Sequence, residues 1–501
     1  MVDTNVKGLM YVTRAVKPRL DGCDLPLARF GHTGAPSREA AKALIFTPVW
    51  ETLEGIPMSI TRRQFLTNAG VSLPASALVS TRAMSIGEVS QSDSNPLDDW
   101  SVVRDQFNLS PEYIHLATFA LVSHPRPVRE AIQKYRRALD ENPFLVVDRG
   151  LWGPEAENLP HKVREAAAEY IGGRPEEIAL TGNTTMGLAL VYYGLPLRAG
   201  QEVLTTAHDH FSHHESIRLA TERAGASMRK IILFDSFDAI SADSIVNRIR
   251  SAVRPSTRAV GITWVHSSSG LKLPVRHIAN AISEVNASRD ESDRVLLIVD
   301  GVHGFGVEDE NAAEMGCDFF VSGTHKWIFA PRGTGIIWAR EDTWAILRPI
   351  IPSFTDEVET AWMENRAPQG PTRASWVSPG GYHAFEHQWA MIEAFRFHHR
   401  IGRKRVAERI HALNEQCKEG LAKMRHVNLY TPWGSTLSAG LICFDVNGMQ
   451  PKAVVRRLLK HKIVASTTPY GISYARLAPS LVNTSKEVDA TLRAIRAMAF
   501  G

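Results

Sequence analysis

Lys326 lies in Ser322-Gly323-Thr324-His325-Lys326-Trp327, directly after the apolar run Phe319-Phe320-Val321. Asp300 closes a second such run, in Leu297-Ile298-Val299-Asp300-Gly301-Val302-His303. Short apolar runs of this kind read as buried strands, and each delivers one ionisable side chain at or just after its carboxyl end. An amine and an acid at the ends of neighbouring strands suit the chemistry of pyridoxal phosphate (PLP). A lysine amine condenses with the cofactor aldehyde, and a carboxylate keeps the pyridine nitrogen protonated so that the ring accepts electrons. A lone Lys is ordinarily a solvated surface charge. This one precedes Trp327-Ile328-Phe329, where an unpaired ammonium is costly to bury, and linkage to a cofactor removes that cost. Once freed by substrate, the amine is a natural general base and acid at the substrate α-carbon.

Other residues suit the same chemistry. Gly182-Asn183-Thr184-Thr185 stands between an apolar strand and a helix, where backbone N–H groups and two hydroxyls make an anion site. A plain Thr cap of the helix is the alternative. Arg476, in Ile472-Ser473-Tyr474-Ala475-Arg476-Leu477-Ala478-Pro479, has the planar fork that grips a carboxylate through two hydrogen bonds. The run His208-Asp209-His210-Phe211-Ser212-His213-His214-Glu215 is rich in His but lacks H-E-x-x-H spacing, so no metal is expected. Cys23, Cys317, Cys417 and Cys443 are scattered without C-x-x-C spacing, which indicates neither a zinc site nor a disulfide framework.

The elements that must position these groups alternate. Helical patterns cover Pro125 to Leu139 and Leu159 to Ile171, and another begins near Met186. Strand patterns fall at 177–181, 202–206, 229–233, 259–265 and 295–300. Such alternation predicts an α/β fold with a mostly parallel sheet sandwiched by helices, and ligands of such sheets sit at the carboxyl ends of the strands. After about Thr372 the pattern turns helical (Tyr382 to His399, Arg403 to Met424). It then ends in Leu441 to Val446 and a terminal helix from Ser485, which predicts a smaller α+β domain. The expected boundaries are 100–165 for a segment packed on the small domain, 166–372 for the large domain and 373–501 for the small one. The chain has 501 residues, 44% hydrophobic and 22% charged, with net charge +4. That is ample for a core. It carries no basic stripe to suggest nucleic acid and no apolar run of the roughly 18 residues a membrane span needs.

Taken in order, these motifs resemble the class V aminotransferases, which are fold type I PLP enzymes, and within them the isopenicillin N epimerase-like proteins. The resemblance covers most of residues 100–501. It implies a seven-stranded-type sheet, a homodimer and a small amino acid or peptide-like substrate. It also implies roles. Lys326 carries the cofactor, and Asp300 faces the ring nitrogen. His303 contacts the ring hydroxyl. Thr184 and Thr185 hold the phosphate, with Ser322 and His325 as lesser candidates. His210 stacks on the ring, with Phe211 as alternative. Ser267 lies near the ring oxygen, and Thr372 reaches the phosphate of the neighbouring subunit. Arg476 grips the substrate carboxylate. Cysteine desulfurases of this family need a Cys in a loop shortly before the Arg. Here that stretch is Ile463 to Tyr470 and contains none, so transamination, epimerisation and C–S or other β-elimination remain.

The first hundred residues read differently. Thr61-Arg62-Arg63-Gln64-Phe65-Leu66 is a twin-arginine pattern, followed by the uncharged stretch Leu66 to Ser80 with small residues at 75–77 and 80–83. It resembles a Tat export signal over residues 58–84, a receptor-read address rather than an anchor. Such a signal belongs near a chain start, so translation is expected to begin at Met58. Residues 1–20 resemble an internal piece of a short-chain dehydrogenase without its nucleotide loop or Tyr-x-x-x-Lys pair, and 1–57 reads as a mis-called or fused extension. Residues 85–99 read as a polar linker. Export through the Tat machinery carries folded, cofactor-loaded proteins and places the enzyme in the periplasm. The combination resembles the periplasmic enzyme that tailors the siderophore pyoverdine. N-terminal sequencing of the native protein checks this: the mature chain is expected to start after the 75–83 region, and one that retains 1–57 refutes it.

Overall fold

Residues 95–500 are described by a computed structural model. The twin-arginine signal, the start at Met58 and the dehydrogenase-like piece lie outside the described residues, as does most of the 85–99 linker. The apolar runs form strands. In chain order they are β1 (Ile114–His115), β2 (Ile178–Thr181), β3 (Glu202–Thr206), β4 (Ser227–Ile231), β5 (Thr257–Thr263), β6 (Leu296–Asp300), β7 (Phe319–Gly323) and β8 (Gly335–Trp338). The C-terminal part adds β9 (Val427–Leu429), β10 (Ile442–Val446), β11 (Ile463–Val464), β12 (Ser466–Thr467) and β13 (Ala475–Leu477).

One seven-stranded sheet has the order β2-β8-β7-β6-β5-β3-β4. Its pairs are parallel except at β8, which runs antiparallel to both β2 and β7. Strand β8 is the one the sequence analysis passed over, a four-residue run that begins with Gly335. The strands at 229–233 and 259–265 each sit two residues earlier than expected, because the chain leaves the sheet before Ile232 and Trp264. Successive side chains of β7 enter opposite apolar layers. Phe320 packs edge-on against Trp264 and Phe305 on one face, and Phe319 against Trp344 on the other. Burial on both faces explains why these strands read as unbroken apolar runs. Gly301 follows Asp300 for a packing reason, since a Cβ there would fall 2.0 Å from the Phe320 ring.

The described residues form one compact unit. Within it, a four-stranded sheet of order β12-β13-β10-β9 has an apolar cluster of its own, built from Leu413, Cys417, Ile442, Phe444, Leu458 and Leu492 among others. The expected helix from Tyr382 to His399 is two helices, Phe385–Trp389 and Met391–Ile401. The segment before β2 joins this part of the molecule: β1 pairs parallel with β11, and Leu116 N–H donates to Val464 O at 2.9 Å. No helix among the described residues is long and apolar enough to cross a membrane.

Because Phe320 wedges β7 against the turn after β6, Phe320→Ala is expected to cost about 3–5 kcal/mol of unfolding free energy. Urea titration followed by circular dichroism measures this. A loss under 1 kcal/mol, on the order of a surface substitution, would contradict the packing role.

Candidate active site

β6 and β7 are neighbours in register, with Asp300 opposite Val321, so the turns after them project into one space. That space is a cavity of about 900 Å³. Nine of the eleven sequence-derived residues line it: Thr184, Thr185, His210, Ser267, Asp300, His303, His325, Lys326 and Arg476. Two do not. Ser322 is fully buried inside β7 with its hydroxyl on the Gly323 carbonyl at 3.1 Å. Thr372 is half-buried and away from the wall. Phe211 is 69% exposed and off the wall, so His210 is the member of its loop that faces the cavity.

Lys326 is held by a tight turn. Phe329 N–H donates to Lys326 O at 3.0 Å, and Phe329 takes φ +58°, a left-handed backbone that is unfavourable for a bulky residue. Edge-on packing against Phe107 and contact with His398 hold it there. The Lys326 Nζ lies 3.3 Å from His303 Nε2. Trp327 Nε1–H donates to His303 Nδ1 at 3.4 Å, which leaves Nε2 as the ring nitrogen facing the amine. Burial pulls the Lys326 amine down to about 8, against the opposing pull of Asp300, with Arg476 adding to the lowering. Such an amine is a usable nucleophile and base near neutrality.

Asp300 is 1% exposed. Burial pushes its carboxyl up to about 6, eased by the Val302 N–H at 3.1 Å and by Lys326. The Val302 bond falls on Oδ1, and Asp300 borders the cavity, so it still has acceptor capacity to offer there. At the other end, the helix Thr184–Gly194 begins at the cavity wall, capped by Asn183, whose side chain accepts from Met186 N–H at 2.9 Å. Thr184 Oγ1 accepts from Gly323 N–H at 2.8 Å, which ties the helix start to β7. Gly323 permits this close approach, since a Cβ would meet His325 at 2.8 Å and Thr184 at 3.0 Å. The buried Nδ1 of His325 has no hydrogen-bond partner.

Arg476 is 6% exposed. Its guanidinium donates to Ser267 O at 2.7 Å and Ser466 Oγ at 3.2 Å, and stands 4.1 Å over the Phe119 ring. These partners are all neutral. Burial, then the Lys326 charge, lowers the pKa of both His303 and His325. His210 follows the same order, with Arg476 next. The wall thus presents two buried cations against one carboxylate, with helix N–H groups besides, and asks for an anionic occupant.

Sequence reasoning missed four contributors. Phe119 and Arg332 line the cavity. Tyr470 bonds Ser267. Asp209, 2% exposed, accepts from Thr205, Thr206 and Thr263 at 2.7–2.9 Å, which joins β3 to β5 next to His210. The remaining His of the 208–215 run go to separate partners: His208 stacks on Phe234, His213 bonds Tyr192, and His214 bonds Thr206 O. No group of three or more His, Cys, Asp or Glu among the described residues converges on a metal-sized site.

A mostly parallel sheet with a lysine and an acid at adjacent strand ends defines the large domain of a PLP-dependent enzyme. The chain belongs to the class-V aminotransferase family, whose pattern matches residues 118–497. It is 26% identical over 413 residues to the isopenicillin N epimerase of Amycolatopsis lactamdurans, covering 80% of this chain and 98% of that one. It is 23% identical over 366 residues to a probable cysteine desulfurase of Pyrococcus abyssi, covering 72% and 86%. Among solved structures, a C-DES variant with glycine covalently linked to its PLP cofactor shares the fold with TM-score 0.68 at 21% identity, covering 78% and 98%. The cysteine desulfurase CsdA of Escherichia coli does so with TM-score 0.67 at 18% identity, covering 80% and 98%. Membership implies PLP as the cofactor. The residues fit it: an anion site, a buried acid and a depressed amine share one cavity of sufficient size.

In cofactor-free protein, competitive acetylation of Lys326 read by mass spectrometry is expected to reach half its maximum near pH 8. Asp300→Asn removes the charge that favours the ammonium, so the midpoint moves lower. A midpoint near that of exposed lysines contradicts the burial argument.

Proposed function

We propose that this class V PLP-dependent enzyme acts on the amino group or α-carbon of a carboxylate-bearing amino acid or amino-bearing peptide, as an aminotransferase or epimerase. The observation that carries the reading is Arg476, a buried guanidinium with neutral partners only, facing the same cavity as Lys326 and Asp300. When bound, PLP supplies an aldehyde for the substrate amine and a ring that accepts electrons as a bond to the α-carbon breaks. The chain does the rest. Asp300 holds a proton-bearing ring nitrogen by charge. The start of the helix Thr184–Gly194, with Thr185 and His325, takes the phosphate. His210 would cover the ring face, and His303 would serve the ring oxygen. Arg476 fixes the substrate carboxylate, which orients the α-carbon. The Lys326 amine, kept near neutrality by burial, then takes a proton from that carbon or returns it.

Persulfide chemistry finds no support among the described residues. Cys317, Cys417 and Cys443 are buried off the cavity wall, and burial pushes each thiol up to about 12, far from the thiolate that such attack requires. β-Elimination needs no thiol, so a C–S or other lyase is the second reading, separable by product analysis. A homodimer is part of the proposal. The segment between Ile350 and Tyr382, which also carries Thr372, exposes Phe354, Trp362, Met363 and Tyr382, apolar surface suited to a partner copy. The twin-arginine pattern at 61–66 supports export of the loaded enzyme by the Tat machinery to the periplasm.

Purified protein with PLP is expected to absorb visible light. Borohydride should bleach it and fix the reduced cofactor on Lys326 by mass spectrometry. Lys326→Ala should lower turnover by on the order of 10²–10⁴. Arg476→Lys should raise KM by roughly tenfold or more for carboxylate substrates. Mass spectrometry in D2O separates amine transfer from α-hydrogen exchange and from elimination. No spectral change with any amine would overturn the enzymatic reading.

A further inference from the structure

The loop between β12 and β13 closes one side of the cavity and is fastened to itself. Thr468 N–H donates to Tyr474 O and Tyr474 N–H to Thr468 Oγ1, both at 2.9 Å, and Ser473 Oγ donates to Thr468 O at 2.8 Å. Tyr474 stacks on Tyr430 at 4.1 Å. Within this loop, Tyr470 places its phenol oxygen 2.6 Å from Ser267 Oγ, and its ring meets the edge of His210 at 6.2 Å. Ser267 is held a second time, at its carbonyl, by Arg476 Nη1 at 2.7 Å. Ser267 and Arg476 both line the cavity, whereas Tyr470 does not.

We propose that Tyr470 is a positioning residue for the substrate carboxylate, acting through the Ser267 hydroxyl. This rests on the reading that the site takes a carboxylate-bearing amine. The half-buried phenol keeps its proton at neutral pH, since burial pushes its pKa up. Ser267 is its one hydrogen-bond partner among the described residues, in a pair where either oxygen can donate; in the proposed arrangement the phenol proton goes to Ser267 Oγ. That polarity turns the Ser267 proton away from Tyr470, on a residue that lines the same cavity as the Arg476 fork. A carboxylate on the guanidinium then meets a second donor whose direction is already set, without the rotor entropy of a free hydroxyl. With the phenol removed, the Ser267 hydroxyl rotates freely and has to be ordered by the anion itself. The site would then discriminate less well between an acid and the matching amide.

The test uses the PLP-loaded full chain and calorimetric titration with plain carboxylates, propionate to hexanoate, and with propionamide. Tyr470→Phe keeps the ring on His210 and removes only the hydroxyl. It is expected to weaken carboxylate binding by about tenfold while propionamide is unaffected, and to raise KM for amino-acid substrates more than it lowers kcat. Ser267→Ala is expected to weaken carboxylate binding similarly, and the double variant no further, the non-additivity of residues acting as a unit. An unchanged carboxylate affinity in Tyr470→Phe, or additive losses, overturns the proposal while leaving the enzyme reading intact. Should Tyr470→Phe not load cofactor, the Ser267→Ala comparison of acid with amide decides. A wild-type protein that takes up no PLP, or that takes it up but binds no carboxylate, overturns the underlying reading and this proposal together.

Discussion

The cavity depends on a charge imbalance that the fold maintains by burial. Lys326 and Arg476 share it with a single ionisable acid, Asp300, and the neighbouring His303, His325 and His210 are held toward neutrality. Two cations out of water without full compensation are unfavourable unless a ligand supplies the missing negative charge. The site is therefore destabilised when empty and is stabilised by mass action when an anion binds. In the proposed reading, a phosphate at the helix start and a carboxylate at Arg476 would meet that demand at opposite ends. An occupant between them would be held at both extremities, as a reaction at one carbon in its middle requires.

Rigid placement comes from the sheet. Asp300 and Lys326 follow neighbouring parallel strands buried on both faces, so neither turn can shift without disturbing two apolar layers. The left-handed Phe329 shows the same constraint: surrounding packing fixes an unfavourable backbone one turn beyond the amine.

Much of this was legible because it is local. Strand ends announce themselves as apolar runs closed by a polar residue, and Lys326, Asp300, Thr184 and Thr185 all sit within a few residues of one. Arg476 was found through its resemblance to the family's carboxylate-gripping Arg. What escaped was long-range. Phe119 meets Arg476 across more than 350 residues of chain, and Tyr470 meets Ser267 across 203. No periodicity carries such a pairing. Strand β8 escaped because its Gly-led run of four is too short to separate from a loop, although it is the antiparallel strand that lies between β2 and β7 and joins them into one sheet. Ser322 failed for the opposite reason: alternation along β7 decides which side chain faces which layer, and nearness to Lys326 in sequence does not place a hydroxyl in the cavity.

The two buried acids at this end of the sheet separate structure from chemistry. Asp209 and Asp300 are both nearly inaccessible, and burial alone pushes both carboxyls up. For Asp209 the charges of His213 and His266, together with donors from Thr206 and Thr263, outweigh burial and bring it down to about 2. Its acceptor capacity is spent on the protein, so it serves as an anchor between β3 and β5. Asp300 has one backbone donor and stays near 6, raised further by the Asp209 charge two strands away. Its remaining capacity points to an occupant rather than to the fold. A cationic N–H arriving from the cavity would do for Asp300 what the threonines and histidines do for Asp209, and would bring its pKa down in the same way. The difference between the two carboxyls lies in their donors, since their depth is the same, and it leaves Asp300 as the one with capacity for an incoming charge.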